Sequence, residues 1–495
     1  MPVAARGSSA PPLWGSTFAP SPGAAPGRRP GPPQWGGGHD LTRYLCAAVY
    51  LDREYAKSLV KEVAAEPHLG VATAPACDVP VVLRHAYRAN ARRYNRDLLL
   101  AALLLAFLLV YSSGAPSGSL LLPLILFVAW GALFSFKLST KYGSHLQDLR
   151  PDRFDPATAP SPLSPSIAAR LQEIGQYAQG NVTTYSGYSP FIGYGTELES
   201  WSLSFDVTTS SGAGVTAQDF DVTELYAHIA QRVGKLSLPC LEIEERLFVD
   251  GETVLEDQRF LPDPLGRPVA SVSPGRMDDL KRVPEEGARP YLVVHSTGWG
   301  GELVTSLFLR FFRSDSNLSV EAVQTVLCPL LDRYRVIDTL LPRPPVREVV
   351  ALLGQTLVTL PFVLLASPLR VVDGASRDYW LSWRLRRQEK LITQLRRFDY
   401  GARQSVRQRA ADRKHHRFFQ KADSGMVLKT VEKRVLDALV EFAMARGIDV
   451  DELVQRQDVI INNGIIATQG ARVDSSSVAS GAKSRVAMNI LQKIT

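Results

Sequence analysis

Eight histidines and four cysteines are the chain's main candidates for metal or nucleophilic chemistry. The histidines are His39, His68, His85, His145, His228, His295, His415 and His416, and none falls at an H-E-x-x-H or similar ligand spacing. Cys46, Cys77, Cys240 and Cys328 are far apart, with no C-x-x-C, so no zinc site or disulfide framework is suggested and reduced thiols fit. His295, Ser296 and Asp315 supply a base, a nucleophile and an acid, but adjacent strand residues face opposite ways, so a catalytic arrangement is not expected. The chain has no G-x-x-x-x-G-K-[ST] and no G-x-S-x-G elbow. Gly193, Tyr194 and Gly195 lack the strand–G-x-G-x-x-G–helix setting of a dinucleotide site. Gly298–Gly301 could bring backbone close to a ligand, or simply close a hairpin. No cofactor and no metal site is implied, and the balance leans away from an enzyme.

Charge offers more. The formal net charge is +7 over 495 residues, and the positive residues cluster. Arg88, Arg92, Arg93 and Arg96 precede the longest apolar stretch, and Lys137 and Lys141 follow it. Residues 377–421 hold fourteen Lys or Arg against Asp378, Glu389, Asp399 and Asp412. Within them Arg384, Arg386, Arg387, Arg396 and Arg397 alternate with Trp380, Trp383 and leucines, as in a basic amphipathic helix. Anionic lipid headgroups are the partner these positions suit best. No groove-reading motif is present, which argues against nucleic acid.

These residues need elements to hold them. Residues 98–136 carry no charge and break at Ser112–Ser119, where Gly, Pro and Ser cluster. A span needs about 20 mainly apolar residues, so the stretch predicts a hairpin of two crossings with a tight turn. Positive residues on both flanks place those flanks in the cytoplasm and the turn outside. A third apolar run, Val349–Leu369, is interrupted by Gly354, Gln355 and Pro361 and has arginines on both sides. It reads as a re-entrant or interfacial pair broken at Pro361, with a third crossing as the alternative.

The whole chain then divides as follows. Residues 1–38, rich in Pro, Gly, Ala and Ser, are expected to be disordered. A helical pair occupies 39–97, the hairpin 98–136, and a Pro-rich linker 137–166. Residues 167–341 predict an α+β domain, with a strand at Leu198–Val207 and helices at Asp221–Leu236 and Leu318–Val336. Hairpins are expected at Leu241–Val254, turning at Asp250-Gly251, and around Gly298–Gly301. The apolar segment 342–376 and the basic region 377–423 follow. Helices are expected over 424–457, including one at Gly425–Ala445 capped by Ser424, and a β-prone tail over 458–495. The fold class is therefore an α+β cytoplasmic domain plus a transmembrane helical hairpin, with a disordered N-terminus and a helical, basic C-terminal region. The absence of an apolar stretch near the start predicts no signal peptide.

In the tail, Val459, Ile460 and Ile461 and then Ile465 and Ile466 flank Asn463-Gly464, a short-range hairpin signal. Val459–Ala482 resembles the C-terminal amyloid-signalling tails of bacterial immunity proteins, and the resemblance implies self-association through those residues. An ordinary hairpin, or a strand added to another chain, stays open. The Ala-, Arg-, Gly- and Pro-rich composition resembles actinobacterial membrane proteins of unassigned function. The expected function is a bacterial inner-membrane-anchored, non-catalytic sensing or assembly protein at the cytoplasmic face. Stress or phage-defence signalling through a homo-oligomer is its sharper form. The alternative is a membrane-tethered enzyme or ligand-binding protein with its site in 167–341. A pore would need a charged or polar lining, which neither apolar stretch offers.

Overall fold

The computed structural model describes residues 38–113, 120–212, 215–341 and 343–467. The expected disorder of 1–37, the tip of the hairpin turn and the tail beyond Ala467 lie outside the described residues. The chain starts with helices α1 (Gly38–Leu51) and α2 (Arg53–Ser58). Asp52 begins α2 by accepting the amides of Glu54 and Tyr55, and a π turn over Leu59–Ala64 ends it. Helix α3 (Val79–Ser112) begins at the Asp78 cap and runs unbroken into the apolar stretch. The basic helix and the first half of the hairpin are thus one element. Helix α4 (Leu121–Tyr142) returns, followed by α5 (Ser144–Gln147) and α6 (Pro165–Tyr177), so the Pro-rich linker ends in a helix capped by Ser164.

A six-stranded sheet follows: β1 (Val182–Tyr185), β2 (Thr196–Asp206), β3 (Leu241–Asp250), β4 (Ala288–Gly298), β5 (Leu303–Arg313) and β6 (Asn317–Leu327). Helices α7 (Val222–Val233) and α8 (Pro274–Arg282) interrupt it. The spatial order is β1-β3-β4-β5-β6-β2, with β1 parallel to β3 and all other pairs antiparallel. The hairpin expected at Gly298–Gly301 is β4–β5. Two expectations fail. Asp250-Gly251 is a turn, but it leads to a 3-10 turn over Val254–Glu256, and β3 pairs instead with β4 and β1. Leu318–Val336 is not a helix: its first ten residues are β6, alternating over Leu318–Ala322 and buried on both faces from Ala322 to Leu327. The double burial of that second half erases the alternation that marks a half-exposed strand.

One sheet face carries Leu292, Val294, Leu307, Leu309, Phe311 and Ala322 under α7 and under α12 (Phe418–Ala445). Helix α12 starts before the expected Ser424 cap. The side-chain amide of Gln420 accepts the Arg417 amide instead, and Ser424 is buried within the helix. Trp201 Nε1 and Gln324 Nε2 donate to the buried Glu432 carboxylate at 2.6 and 2.9 Å, tying α12 to the sheet. The other face carries Phe248, Tyr291, Val293, Phe308 and Val323 beneath Phe191 and Tyr194 of the Gly-rich loop. Each buried ring is worth at least about 2 kcal/mol relative to exposure. Helices α1, α2, α3 and α6 form a further core with α11 (Val406–Ala410).

Helix α9 (Val346–Ala375) is continuous, so the expected break at Pro361 does not occur. Pro361 and Pro368 each remove a backbone donor. The carbonyl of Leu364, which Pro368 cannot reach with an N–H, accepts the Ser367 hydroxyl at 2.6 Å. Helix α9 meets α4 through Glu348–Lys141 at 3.2 Å, Trp130 Nε1–Thr356 Oγ1 at 3.0 Å and Lys137 Nζ–Thr359 Oγ1 at 3.2 Å. Leu360 and Leu364 pack with Leu100, Ala129 and Leu133, and Gly374 lies against Tyr94. Lys141 and Tyr94 both sit at the base of the hairpin, and Trp130 lies nearer its tip. Helix α9 therefore crosses the hairpin with both of its ends at the base. Helices α3, α4 and the run from Val346 to Leu395 are each long and apolar enough to cross a membrane. Helix α10 (Arg377–Lys390) continues from α9, and α13 (Asp451–Ala467) closes the described chain. Residues Val459–Ile466 are thus helical, not the expected hairpin. Leu453 and Ile460 pack on the α7–α12 core, and that packing overrides β-propensity.

Gly195 adopts φ +94°, and a Cβ there would overlap the Val326 carbonyl of β6. Gly275, in the first turn of α8, faces open space. Gly195→Ala should lower stability by about 2 kcal/mol or more, whereas Gly275→Ala should change it by less than about 1 kcal/mol. Thermal unfolding of the two variants side by side checks this.

Candidate functional site: a basic cleft at the base of the hairpin

The candidate catalytic residues do not assemble. Ser296 Oγ donates to the Pro239 carbonyl at 3.0 Å on one face of β4. His295 faces the other way, 3.5 Å from Glu242. Asp315 lies beyond the end of β5, while His295 pairs with Ser306 seven residues before that end, about 23 Å away along the strand. Among the described residues no group of three His, Cys, Asp or Glu side chains could hold a metal ion. The Gly298–Gly301 turn serves packing. Its Gly301 carbonyl, with that of Glu302, accepts from the fully buried Arg407 at 2.7 and 3.0 Å. Arg407 also reaches the Pro75 carbonyl at 2.6 Å, and burial pushes its guanidinium down to about 10. It ties α11 to the sheet and to the loop before α3.

A buried polar group lies beside the aromatic face. Arg246 binds Glu244 through two nitrogens, at 2.9 and 3.0 Å, and Tyr194 donates to Glu244 at 3.1 Å. Burial would raise the Glu244 carboxyl, but Arg246 outweighs it and holds the group below the usual carboxylate range. The Phe191–Tyr194 loop covers the group, so it reads as part of the fold.

A wide hollow lies elsewhere. A cleft of about 1270 Å³ opens between α2, α3, α6, α9 and α10. Arg53, Lys57, Lys61, Arg93 and Arg170 line it from the N-terminal helices. Arg370, Arg377, Arg384 and Arg409 line it from the C-terminal half, making nine cations against Glu54, Glu62, Asp97 and Asp373. Asp373 is engaged by Lys57 at 2.7 Å, and Asp97 by Arg96 at 2.5 Å and Arg53 at 3.6 Å. Arg384 pairs with the buried Glu66, which also accepts Gln388 Nε2 at 3.1 Å. Lys61, Arg370 and Arg377 have no carboxylate within ion-pairing distance among the described residues. Trp380 and Trp383 stand at the cleft, exposed, with their rings edge to face at 5.8 Å.

The basic residues picked out in the sequence separate into groups. Only Arg93 and Arg384 line the cleft. Arg93 is buried and donates to the carbonyls of Val49 and Tyr50 at the end of α1, at 2.9 and 2.7 Å. It is a helix-end ligand, not a surface charge. Arg92 reaches Ser139 at 2.8 Å, Arg96 stacks over Phe136 at 4.6 Å, and Lys137 and Lys141 hold α9. Arg387 lies over Trp383 at 5.7 Å, and Arg88, Arg386, Arg396 and Arg397 are exposed. Of the self-association residues, Val459 is exposed and Ile460 packs inward; Ile461, Asn463, Gly464, Ile465 and Ile466 lie in α13. Arg53, Lys57, Arg370 and Arg377 were missed as a set, because three elements far apart in the sequence, α2, α9 and α10, bring them together. The signal available was an arginine at each side of the third apolar run.

The architecture is that of a mixed α/β domain joined to a bundle of long apolar helices. The model of the AbeC-like domain matches residues 200–474, more than half of the chain, and the chain belongs to that family. The family is bacterial and is associated with abortive infection and phage defence. No curated protein and no solved structure matches the chain. The matched segment holds β2 to β6 and α9 to α13, and leaves the hairpin and β1 outside it.

The depressed Glu244 acidity gives a pH dependence. A folded carboxyl held below its unfolded value contributes stability above about pH 4.3, which is lost as pH falls through the folded value. Wild-type melting temperature should therefore fall from pH 5 to pH 3 more steeply than that of Glu244→Gln. Equal slopes would mean that Arg246 does not hold the carboxyl as described.

Proposed function

We propose that this protein is a membrane-anchored, non-catalytic assembly component of a bacterial defence response, acting from the cytoplasmic face. The observation that carries the reading is the AbeC-like match on a chain whose apolar helices share one charged base. Both ends of α9 return to that base, beside the arginines of α3, so the hairpin supplies two crossings and α9 none. The positive-inside rule then puts the base, and with it the sheet, in the cytoplasm. Helix α13 and the tail after it remain the segment for self-association, through Val459, Ile460, Ile461, Asn463, Gly464, Ile465 and Ile466. The helix would present that segment to a second copy at the membrane surface.

Sidedness can be read with a membrane-impermeant maleimide. Of the native cysteines, Cys46 and Cys328 are buried, Cys77 is partly covered and Cys240 is exposed. Cys240 should label only after cells are opened, whereas Leu120→Cys, at the hairpin tip, should label in intact cells. Labelling of Cys240 in intact cells would reverse the orientation. Self-association is tested by deleting residues 459–495, which removes the named residues together with the tail. The truncated chain should stay in the membrane fraction, sediment as a smaller species and lose protection against phage. Unchanged oligomer size and unchanged protection would remove the tail from the mechanism.

A further inference from the structure

Resting on the membrane placement proposed above, we infer that the basal cleft binds the phosphate ester of an anionic phospholipid, with Arg370 and Arg377 as its chief partners. Three observations converge on this. Cations outnumber acids nine to four in one hollow, and such a cluster repels itself unless an anion enters. Two of the four acids are committed: Lys57 holds Asp373, and Arg53 and Arg96 hold Asp97. Arg370 at the end of α9 and Arg377 at the start of α10 line the same hollow, and neither has an ion-pair partner among the described residues. Two forked guanidiniums can grip a phosphate through paired hydrogen bonds.

Size and position choose the rest of the ligand. At about 1270 Å³ the cleft exceeds what an inorganic phosphate fills and is at the upper end of ordinary ligand sites. Along α3 it runs from Tyr87 to Asp97, the residue before the uncharged stretch at Leu98, so its upper end is at the level of lipid headgroups in this placement. Trp380 and Trp383 line the cleft and are exposed, and tryptophan is favoured at the membrane interface, so they would flank the glycerol of a bound lipid. The walls come from two sources: α2, α3 and α6 outside the AbeC-like segment, α9 and α10 within it. A bound headgroup would clamp the defence-family segment to the hairpin, making the fit between them depend on the lipid present.

Native mass spectrometry of the full chain in detergent tests this, with phosphatidylglycerol, phosphatidylcholine or inorganic pyrophosphate added. One phosphatidylglycerol should be retained per chain in preference to phosphatidylcholine. The R370A/R377A variant should lower that occupancy about thirtyfold, the loss expected for two arginines near an anionic lipid surface at about fivefold each. R413A/K414A, exposed and outside the lining of the cleft, should leave it unchanged. Should the double alanine variant misfold, R370K/R377K keeps the charges but loses the fork and should still bind several-fold more weakly. Equal retention of the two lipids, or retention untouched in both double variants, would overturn the inference. Pyrophosphate bound in place of phosphatidylglycerol would overturn the lipid source. These outcomes are separate from the cysteine labelling, which reports orientation whether or not a lipid is held.

Discussion

The arrangement depends on a constraint of charge on α9. A thirty-residue helix with Glu348 near its start and Asp373 near its end cannot leave either carboxylate in apolar surroundings. Each end finds a lysine at the base of the hairpin, Lys141 for Glu348 and Lys57 for Asp373. Exposed pairs of this kind add at most about 1 kcal/mol, so they do not clamp the helix by themselves. What they record is that both ends have polar company on the same side. The middle of α9 then has to lie over Trp130, Leu133 and Leu100, and its hydroxyls at Thr356 and Thr359 satisfy the two polar groups α4 presents there.

From that crossing the rest follows in layers. The end of α9 and the start of α10 form one wall of the cleft, and α3 forms the facing one. Beyond it, Glu66 holds α10 through Arg384 and Gln388, and Arg407 joins α11 to Pro75 and to the β4–β5 turn. The matched AbeC-like segment is therefore not self-contained in this chain. Strand β1, the loop bearing Phe191 and Tyr194, and most of the cleft's cations come from residues before 200. A segment cut at 200 would expose the aromatic face of its own sheet.

Some of this was legible in the sequence and some was not. The hairpin was plain because thirty-nine uncharged residues with a polar break leave few alternatives. The β4–β5 turn was plain because Gly298, Gly300 and Gly301 punctuate two β-rich runs. Strand β6 was misread because Leu318, Val320, Ala322, Val323, Val326 and Leu327 satisfy helical spacing as well as a strand buried on both faces. Asp250-Gly251 was a true turn signal, but a turn does not say what it leads to. The Val459–Ile466 segment has β-branched pairs around Asn-Gly, yet Leu453 and Ile460 give it a helical anchor on the α7–α12 core. The cleft could not be read at all, since no window of sequence contains more than a few of its residues. Arg93 shows the converse error: its place in a basic run suggested a surface charge, while the end of α1 needed a buried donor.

The strand order β1-β3-β4-β5-β6-β2 has a consequence in time. Both edges of the sheet are synthesised before any of its centre. Strand β1 waits some sixty residues for β3, and β2 more than a hundred for β6. Such distant pairings are slow to form because the loop must close before the contacts form. The apolar hairpin is complete by Tyr142, well ahead of them. During translation the chain therefore carries two unmatched strands next to a finished apolar hairpin. The central meander of β3 to β6 is then the natural nucleus onto which both early strands dock.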